Sequence, residues 1–140
     1  MFYQYRRRGV EMALQMFRLA TRHDPGYALA HAGIADCYCF LYLYTDRSRT
    51  SLSEADAAAR RALELNGDSA EAHASRGQVL SLMGRHQEAE AEFETAIRLG
   101  PKLFEAHYLY ARDCFAQGAQ EKAAHLFERA AAVRPEGQAH

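Results

Sequence analysis

Residues 70–101 read AEAHASRGQVLSLMGRHQEAEAEFETAIRLGP, and their pattern returns in residues 105–135, EAHYLYARDCFAQGAQEKAAHLFERAAAVRP. The two closing prolines, Pro101 and Pro135, stand 34 positions apart. The same spacing separates the paired residues of the two stretches: His73 and His107, Gly84 and Gly118, Ala89 and Ala123, Phe93 and Phe127, Ala96 and Ala130. A fixed period of this length predicts a stacked repeat protein.

The composition is that of one globular domain. The chain has 140 residues, of which 49% are hydrophobic and 25% charged, and this is enough chain to bury a core. The formal net charge is −1, from 17 Lys plus Arg and 18 Asp plus Glu. A protein that binds nucleic acid through its phosphate groups needs a basic surface, and this chain is nearly neutral, so we expect no nucleic-acid partner.

Neither a membrane span nor a disulfide framework is expected. The longest apolar run, Cys37 to Tyr44, has 8 residues, and a membrane helix needs about 20. The three cysteines are an odd number, and we find no signal peptide, so a cytoplasmic location is predicted. With no CxxC motif, the default interpretation of the cysteines is buried small hydrophobic residues.

Hydrophobic periodicity and capping signals predict seven helices. Ser51-Leu52-Ser53-Glu54 has the pattern of a capping box that opens the third helix, and Asp68-Ser69 opens the fourth. Residues 45–50 are polar and are predicted to form a loop. The helices are expected at residues 1–21 (ending by Asp24-Pro25), from 27, from 51, 69–84, 86–99, 103–117 and 119–133.

These helices divide the single domain into repeats. We expect a half-repeat at 1–26, full repeats at 27–68, 69–102 and 103–136, and a tail at 137–140. Twelve positions separate Gly77 from Ala89, whereas 20 separate the matching Ala35 and Ala55. The first full repeat therefore carries 8 extra residues between its two helices.

The spacing and the residue types resemble the tetratricopeptide (TPR) repeat. The matching residues are Gly77, Leu80, Ala89, Phe93, Ala96 and Pro101, then Ala111, Ala123, Phe127, Ala130 and Pro135, and Ile34, Ala35, Tyr38, Ala55, Ala62 and Leu65 in the extended repeat. The resemblance implies an all-α, right-handed solenoid of seven antiparallel-paired helices. Departures from the family pattern are His31, His73 and His107 for the usual aromatic, Arg76 for a leucine and Gly67 for a closing proline.

Residues 24–38, DPGYALAHAGIADCY, also look like TPR segments that are appended to bacterial signalling and transcription-regulatory proteins. The resemblance therefore implies that the chain is related to a segment of such a regulator.

The function that the resemblance implies is binding of a protein or peptide in a concave groove lined by the first helix of each pair. The groove candidates are Cys39, Phe40, Glu71, Gln78, Tyr108, Arg112 and Phe115. TPR domains that hold chaperone tails clamp a carboxylate with Lys and Asn. The corresponding positions here are Ala32, Asp36, Ala74, Gln78, Tyr108 and Arg112, so a chaperone-tail reader is not expected.

No catalytic, cofactor or metal site is predicted. The sequence contains no Gly-rich phosphate loop, HExxH or GxSxG motif. His31, His73 and His107 occupy one slot in successive repeats and could suggest zinc, but we interpret them as replacements for an aromatic residue at a helix contact. A non-enzymatic scaffold is the resulting prediction.

Two irregular regions leave alternatives open. The tract that includes Tyr42 and Tyr44 predicts either a longer second helix, packed on its neighbours, or a protruding ridge that contacts a partner. The seventh helix has no capping helix after it and is expected to expose Leu126 or Phe127. The alternative function is therefore a self-assembly (homodimer) module of a larger regulatory protein.

Overall fold

Seven α-helices and one π-helical turn make up the part of the chain that our computed structural model describes, residues 2–134, with side chains except those of residues 2–5 and 46. The predicted tail and the closing Pro135 lie outside these residues. The elements are α1 Phe2–His23, α2 Ala28–Leu41, the π turn Tyr42–Asp46, α3 Arg49–Leu65, α4 Ala70–Leu82, α5 His86–Leu99, α6 Phe104–Ala116 and α7 Gln120–Val133.

Serine caps start two of the helices, and two glycines end two of them. The Ser69 hydroxyl accepts a hydrogen bond from the Ala72 amide at 3.1 Å and starts α4, as predicted. Gly84 and Gly118 have φ values of 80° and 84°. A left-handed residue at this place lets a helix end tightly and the next one begin within a few residues.

The start of the third helix was predicted at the wrong serine. α3 begins at Arg49, and the Ser48 hydroxyl accepts the Ser51 amide at 3.0 Å. Ser51 itself is buried inside the first turn. The region predicted as a loop is mostly helical, since α2 continues into the π turn, where the Arg47 amide donates to the Tyr42 carbonyl. The extra residues therefore lengthen both helices of the repeat, α2 through the π turn and α3 at its start.

The core is built from small residues crossed by one aromatic ring. Ala89, Phe93 and Ala96 of α5 are fully buried, and a Cβ added to Gly77 of α4 would lie 2.6 Å from the Phe93 ring. The absent side chain at Gly77 is what allows the two helices to approach this closely. The rings of Phe93 and Tyr110 stack at 5.5 Å, so Phe93 also joins α5 to α6.

The helices pack in pairs, α2 with α3, α4 with α5 and α6 with α7, while α4 also contacts both α2 and α6. The first helices of the pairs thus form a continuous row. α1 packs on α2, where the Phe17 ring covers Gly33 at 2.5 Å from a built Cβ. This row of α2, α4 and α6 provides the surface on which the candidate site lies.

A partly buried ion pair joins two repeats. Arg76 of α4, which replaces the leucine that the resemblance leads one to expect, is buried and pairs with Asp56 of α3. Asp56 also pairs with Arg60 at 3.2 Å. The long arginine side chain fills the space of the leucine with its methylene groups and carries its charge to the neighbouring repeat.

Candidate functional site

An open cavity of about 830 Å³ runs along the row of α2, α4 and α6. We call it the groove. Its walls come from α2 with the π turn on one side and from α6 on the other, and its floor comes from α4. The lining residues are Arg6, Asp36, Phe40, Leu43, Tyr44, Glu71, Ala74, Ser75, Gln78, Leu103, Phe104, Glu105, Tyr108, Leu109 and Arg112.

Each wall of the groove carries a pair of aromatic rings spaced by one helical turn. Phe40 and Tyr44 have ring centroids 4.8 Å apart. Phe104 and Tyr108 stack at 5.4 Å on α6. Residues four apart lie on the same face of a helix, which brings these rings together. The Tyr108 ring also meets Phe127 of α7 edge-on at 5.9 Å, so α7 supports this wall from behind.

Guanidinium groups lie over three of these rings. Arg6 lies 5.9 Å from the centre of the Phe40 ring, and Arg112 lies 5.8 Å from that of Tyr108. Arg134 lies 5.1 Å from the ring of Phe104. Planar cations over ring faces hold the rings in place and keep a positive charge at the groove edge.

The α2 wall of the groove carries a carboxylate where it meets the α4 floor, at the boundary between repeats. The Ser75 hydroxyl donates to Asp36 Oδ1 at 2.7 Å and approaches the Ala32 carbonyl at 3.5 Å. Loss of hydration among the surrounding protein atoms is the main cause that raises the pKa of Asp36 to about 7. The Ser75 hydrogen bond opposes this rise, and the charge of Glu105 contributes a smaller part of it. Asp36 is still exposed at the groove surface, so water reaches it.

Five of the seven predicted groove residues line the groove: Phe40, Glu71, Gln78, Tyr108 and Arg112. Cys39 does not, because it is fully buried in the core with Ala35 and Ala55. Phe115 is 62% exposed but lies outside the groove lining. These two placements correct the prediction.

The two predicted ridge residues are separated by the structure. Tyr44 is exposed and lines the groove. Tyr42 is half-buried, with the Arg47 guanidinium 5.8 Å from its ring centre, and is not among the lining residues. The extended helix therefore contributes to the groove wall at Phe40, Leu43 and Tyr44.

Sequence reasoning missed several lining residues, and helical spacing from the predicted groove residues could have found some of them. Phe104 stands four positions before Tyr108, and that spacing predicts a shared face on α6. Ser75 carries the same signal, since it stands four positions after Glu71 and three before Gln78 on α4. Arg6 gave no such signal, because its place depends on how α1 packs on α2.

The three matched histidines bind backbone. In each case Nε2 lies at hydrogen-bond distance from the carbonyl oxygen six residues earlier: His31 to Pro25 at 3.0 Å, His73 to Gly67 at 2.7 Å and His107 to Pro101 at 2.8 Å. The ring thus ties the first turn of each first helix to the preceding loop. Within residues 2–134 no group of three or more His, Cys, Asp or Glu side chains is placed to hold a metal ion.

The surroundings of Cys37 and Cys39 on α2 indicate a structural role for these thiols. Burial raises the pKa of Cys37 to about 11 and that of Cys39 well above its usual value, and the Asp36 charge adds to both effects. Buried protonated thiols are poor nucleophiles.

Asp113 is buried and joins α4, α5 and α6. Its Oδ1 accepts Ser81 Oγ at 2.5 Å and faces His86 Nδ1 at 2.7 Å, while Gln117 Nε2 donates to Oδ2 at 2.8 Å. In a catalytic triad the histidine bridges serine and carboxylate. Here the carboxylate bridges the other two, so this arrangement does not activate the serine.

No helix in the described part of the chain is long and apolar enough to cross a bilayer.

Residues 70–103 match the family model described as tetratricopeptide repeat. No curated protein matches the sequence.

Several solved structures share the fold. TTC0263, a thermophilic TPR protein in Thermus thermophilus, is 24% identical, with 96% of this chain and 71% of that chain covered and a TM-score of 0.78. A MamA RS-1 double mutant is 20% identical, with coverage of 96% and 72% and a TM-score of 0.59. YrrB, a TPR protein with an unusual peptide-binding site, is 21% identical, with coverage of 94% and 81% and a TM-score of 0.52. The predicted all-α solenoid of TPR type is confirmed.

Proposed function

Because this chain folds as a TPR-type solenoid, we propose that it is a non-catalytic interaction scaffold that binds a peptide or protein segment in the groove. The observation that carries the proposal is the open cavity of about 830 Å³ with an aromatic pair on each wall. A concave, mostly apolar site with a few polar groups is the form that ligand sites take.

The two walls suit apolar side chains of the partner. Phe40 and Tyr44 face the groove from one wall, and Phe104 and Tyr108 from the other. Rings that are already stacked and held by neighbours lose little conformational freedom when a partner binds, so less of the contact energy is spent on ordering. The expected energetic anchors are therefore the aromatic side chains.

The floor suits the polar backbone of a bound segment. Gln78 of α4 lines the groove with an amide that can both donate and accept, and it is half-buried. A main chain laid along the groove offers both kinds of group. We infer that α4 contributes hydrogen bonds to the backbone and that the walls select side chains.

The comparison with YrrB supports the choice of surface only through the shared fold, since that chain is 21% identical.

The carboxylate-clamp positions hold Ala32, Ala74 and Asp36 in place of the family's Lys and Asn. The family's carboxylate clamp is therefore absent, and we do not propose a carboxylate tail of the chaperone kind as the ligand.

The test uses two aromatic residues of the same helix. Peptides are selected from a random library on the immobilised protein, and their affinities are measured for Tyr108→Ala and Phe115→Ala. Tyr108 lines the groove, whereas Phe115 is exposed outside it. Loss of one aromatic anchor should weaken binding by about tenfold or more in Tyr108→Ala only.

The melting curves of both variants must stay cooperative for the comparison to hold. Equal affinities of the two variants for the selected peptides would show that the groove is the wrong surface. Selection of peptides that bind Phe115→Ala less well would point to the C-terminal end of α6.

Self-assembly through the end helices is the alternative function. At α7 the structure leaves less apolar surface than the sequence predicts, because Leu126 is buried against the core with Phe93 and Tyr110. Phe127 is 36% exposed and contacts Tyr108. Light scattering coupled to size exclusion tests this alternative, and a monomer up to high concentration would exclude it.

A further inference from the structure

The groove carries more carboxylates than cations. Its lining includes the acidic residues Asp36, Glu71 and Glu105 and the basic residues Arg6 and Arg112. None of the three carboxylates forms an ion pair with a Lys, Arg or His side chain among the described residues. The groove therefore holds negative charge that no ion pair in this part of the chain neutralises.

Two of these carboxylates lie on opposite walls. Asp36 belongs to α2 and Glu105 to α6, and α4, which forms the floor, contacts both helices. The charge of Glu105 reaches Asp36 across the groove, since it contributes to the raised pKa of that carboxyl. Like charges at this range repel each other, and a cation placed between them would be attracted from both sides.

Each of the two carboxylates stands beside the aromatic rings of its own wall. Asp36 precedes Phe40 by four positions and Glu105 precedes Tyr108 by three, so each carboxylate shares a helix face with a ring. Both rings belong to the aromatic pairs of the walls. A side chain with a methylene stem and a charged end can pack its stem on such rings and carry its charge to the carboxylates. Lysine and arginine have this form.

The two guanidinium groups of the groove are placed over rings. Arg6 lies 5.9 Å from the centre of the Phe40 ring, and Arg112 lies 5.8 Å from that of Tyr108. Arg112 stands seven positions after Glu105, about two turns further along α6. An acidic segment that paired with Arg112 would also have to pass the carboxylates, so charge complementarity favours a basic one.

Resting on the groove as the binding surface proposed above, we propose that the bound segment places a lysine or arginine side chain between Asp36 and Glu105. Apolar side chains on either side of this residue pack on the aromatic pairs of the walls. Glu71 of α4 adds to the negative charge around the cation. The groove therefore selects segments in which a basic residue is flanked by apolar ones.

The test starts from peptides selected on the immobilised protein at pH 8, above the pKa of about 7 of Asp36, so that this carboxyl is charged. Peptides that Tyr108→Ala weakens and Phe115→Ala does not are kept, because these occupy the groove. Each basic residue of the kept peptides is replaced in turn by norleucine, which has an apolar chain like the lysine stem and no charge. Fluorescence anisotropy gives the affinities of both forms for the parent and for three variants, Asp36→Asn, Glu105→Gln and Glu121→Gln.

Glu121 provides the matched control. Like Glu105 it is an exposed acidic residue in the first turn of its helix, but it does not line the groove. Both substitutions therefore lose the same favourable interaction with a helix N-terminus. Asp36→Asn keeps a side-chain oxygen that can accept the Ser75 hydroxyl, so all three variants should melt as cooperatively as the parent.

A basic residue should recur at one position of the groove-binding peptides, and its replacement by norleucine should weaken binding to the parent by about fivefold or more. This ratio of affinities should fall to about twofold or less in Asp36→Asn and in Glu105→Gln, because each removes one of the two attracting charges. Glu121→Gln should keep the ratio of the parent. Each ratio compares two peptides on one protein, so a general change in the stability of a variant cancels.

Two kinds of result would overturn this inference and leave the proposed function standing. One is a set of groove-binding peptides with no basic residue at a common position, or with an acidic residue there. The other is a ratio that stays the same in Asp36→Asn and Glu105→Gln as in the parent, or that falls equally in Glu121→Gln. If no selected peptide depends on Tyr108, the groove is not the binding surface and both proposals fail.

Discussion

Replacing Gly77 by alanine should destabilise this protein although alanine is the better helix former. A Cβ at this position would lie 2.6 Å and 2.7 Å from two ring carbons of Phe93. Carbon atoms in contact normally stay about 3.5–4.0 Å apart, so the ring would have to move by roughly 1 Å. Phe93 is fully buried and its ring stacks on Tyr110 at 5.5 Å, which leaves no free space behind it.

The size of the effect follows from two opposing terms. Overpacking a core costs about 1–3 kcal/mol, and exchanging glycine for alanine inside a helix gains about 0.5–1 kcal/mol. The net change in the free energy of unfolding is a loss of about 0–2.5 kcal/mol. Gly9 provides the matched control, because it lies inside α1 with open space around its Cβ position. Gly9→Ala should stabilise the protein by about 0.5–1 kcal/mol.

Urea unfolding followed by far-UV circular dichroism measures both changes, as shifts of the midpoint at constant slope. A smaller ring partner should relieve the clash, so Gly77→Ala combined with Phe93→Leu should cost less than the sum of the two single changes by about 1 kcal/mol or more. If Gly77→Ala is as stable as Gly9→Ala, the close crossing of α4 and α5 does not depend on glycine and the reasoning is wrong.

Two further predictions concern titration and capping. The pKa of Asp36 is raised to about 7 from an ordinary value of 3.8. Between these two pH values the folded chain keeps a proton on Asp36 that the unfolded chain has lost. Its contribution to stability therefore falls as the pH rises through that window. An NMR titration of the Asp36 carboxyl carbon should have its midpoint near 7, and a midpoint near 4 would contradict the raised pKa. Ser48→Ala should cost about 1 kcal/mol through loss of the cap on α3, whereas Ser53→Ala, at an exposed position inside the helix, should change the urea midpoint little. Equal urea midpoints of the two variants would contradict the capping role of Ser48.

Much of the fold followed from local residue types. The start of α4 at Ser69 and the ends marked by Gly84 and Gly118 were predicted because caps and left-handed glycines act over a few residues. The third helix was misplaced for the same local reason, since Ser48 and Ser51 are both suitable caps. Packing buries Ser51 and leaves Ser48 to accept the amide.

The groove was predictable in outline. Phe40, Glu71, Gln78, Tyr108 and Arg112 line it as the resemblance implied, because the repeat register assigns one face of each first helix to the concave side. The contribution of α1 could not be predicted, since Arg6 reaches the Phe40 ring across a helix contact with no local signature.

The sequence by itself determined the repeat, its period of 34 and the small residues at each crossing, because these are properties of neighbours along the chain and of a regular spacing. Only the tertiary structure determined which residues of each helix face the core and which face the groove. Cys39 and Phe40 are adjacent in a tract that is apolar all round, so periodicity could not separate them. The rotation of the extended helix against α3 buries Cys39 in the core and turns Phe40 to the groove, since a helix that packs on a neighbour can present only one side to it.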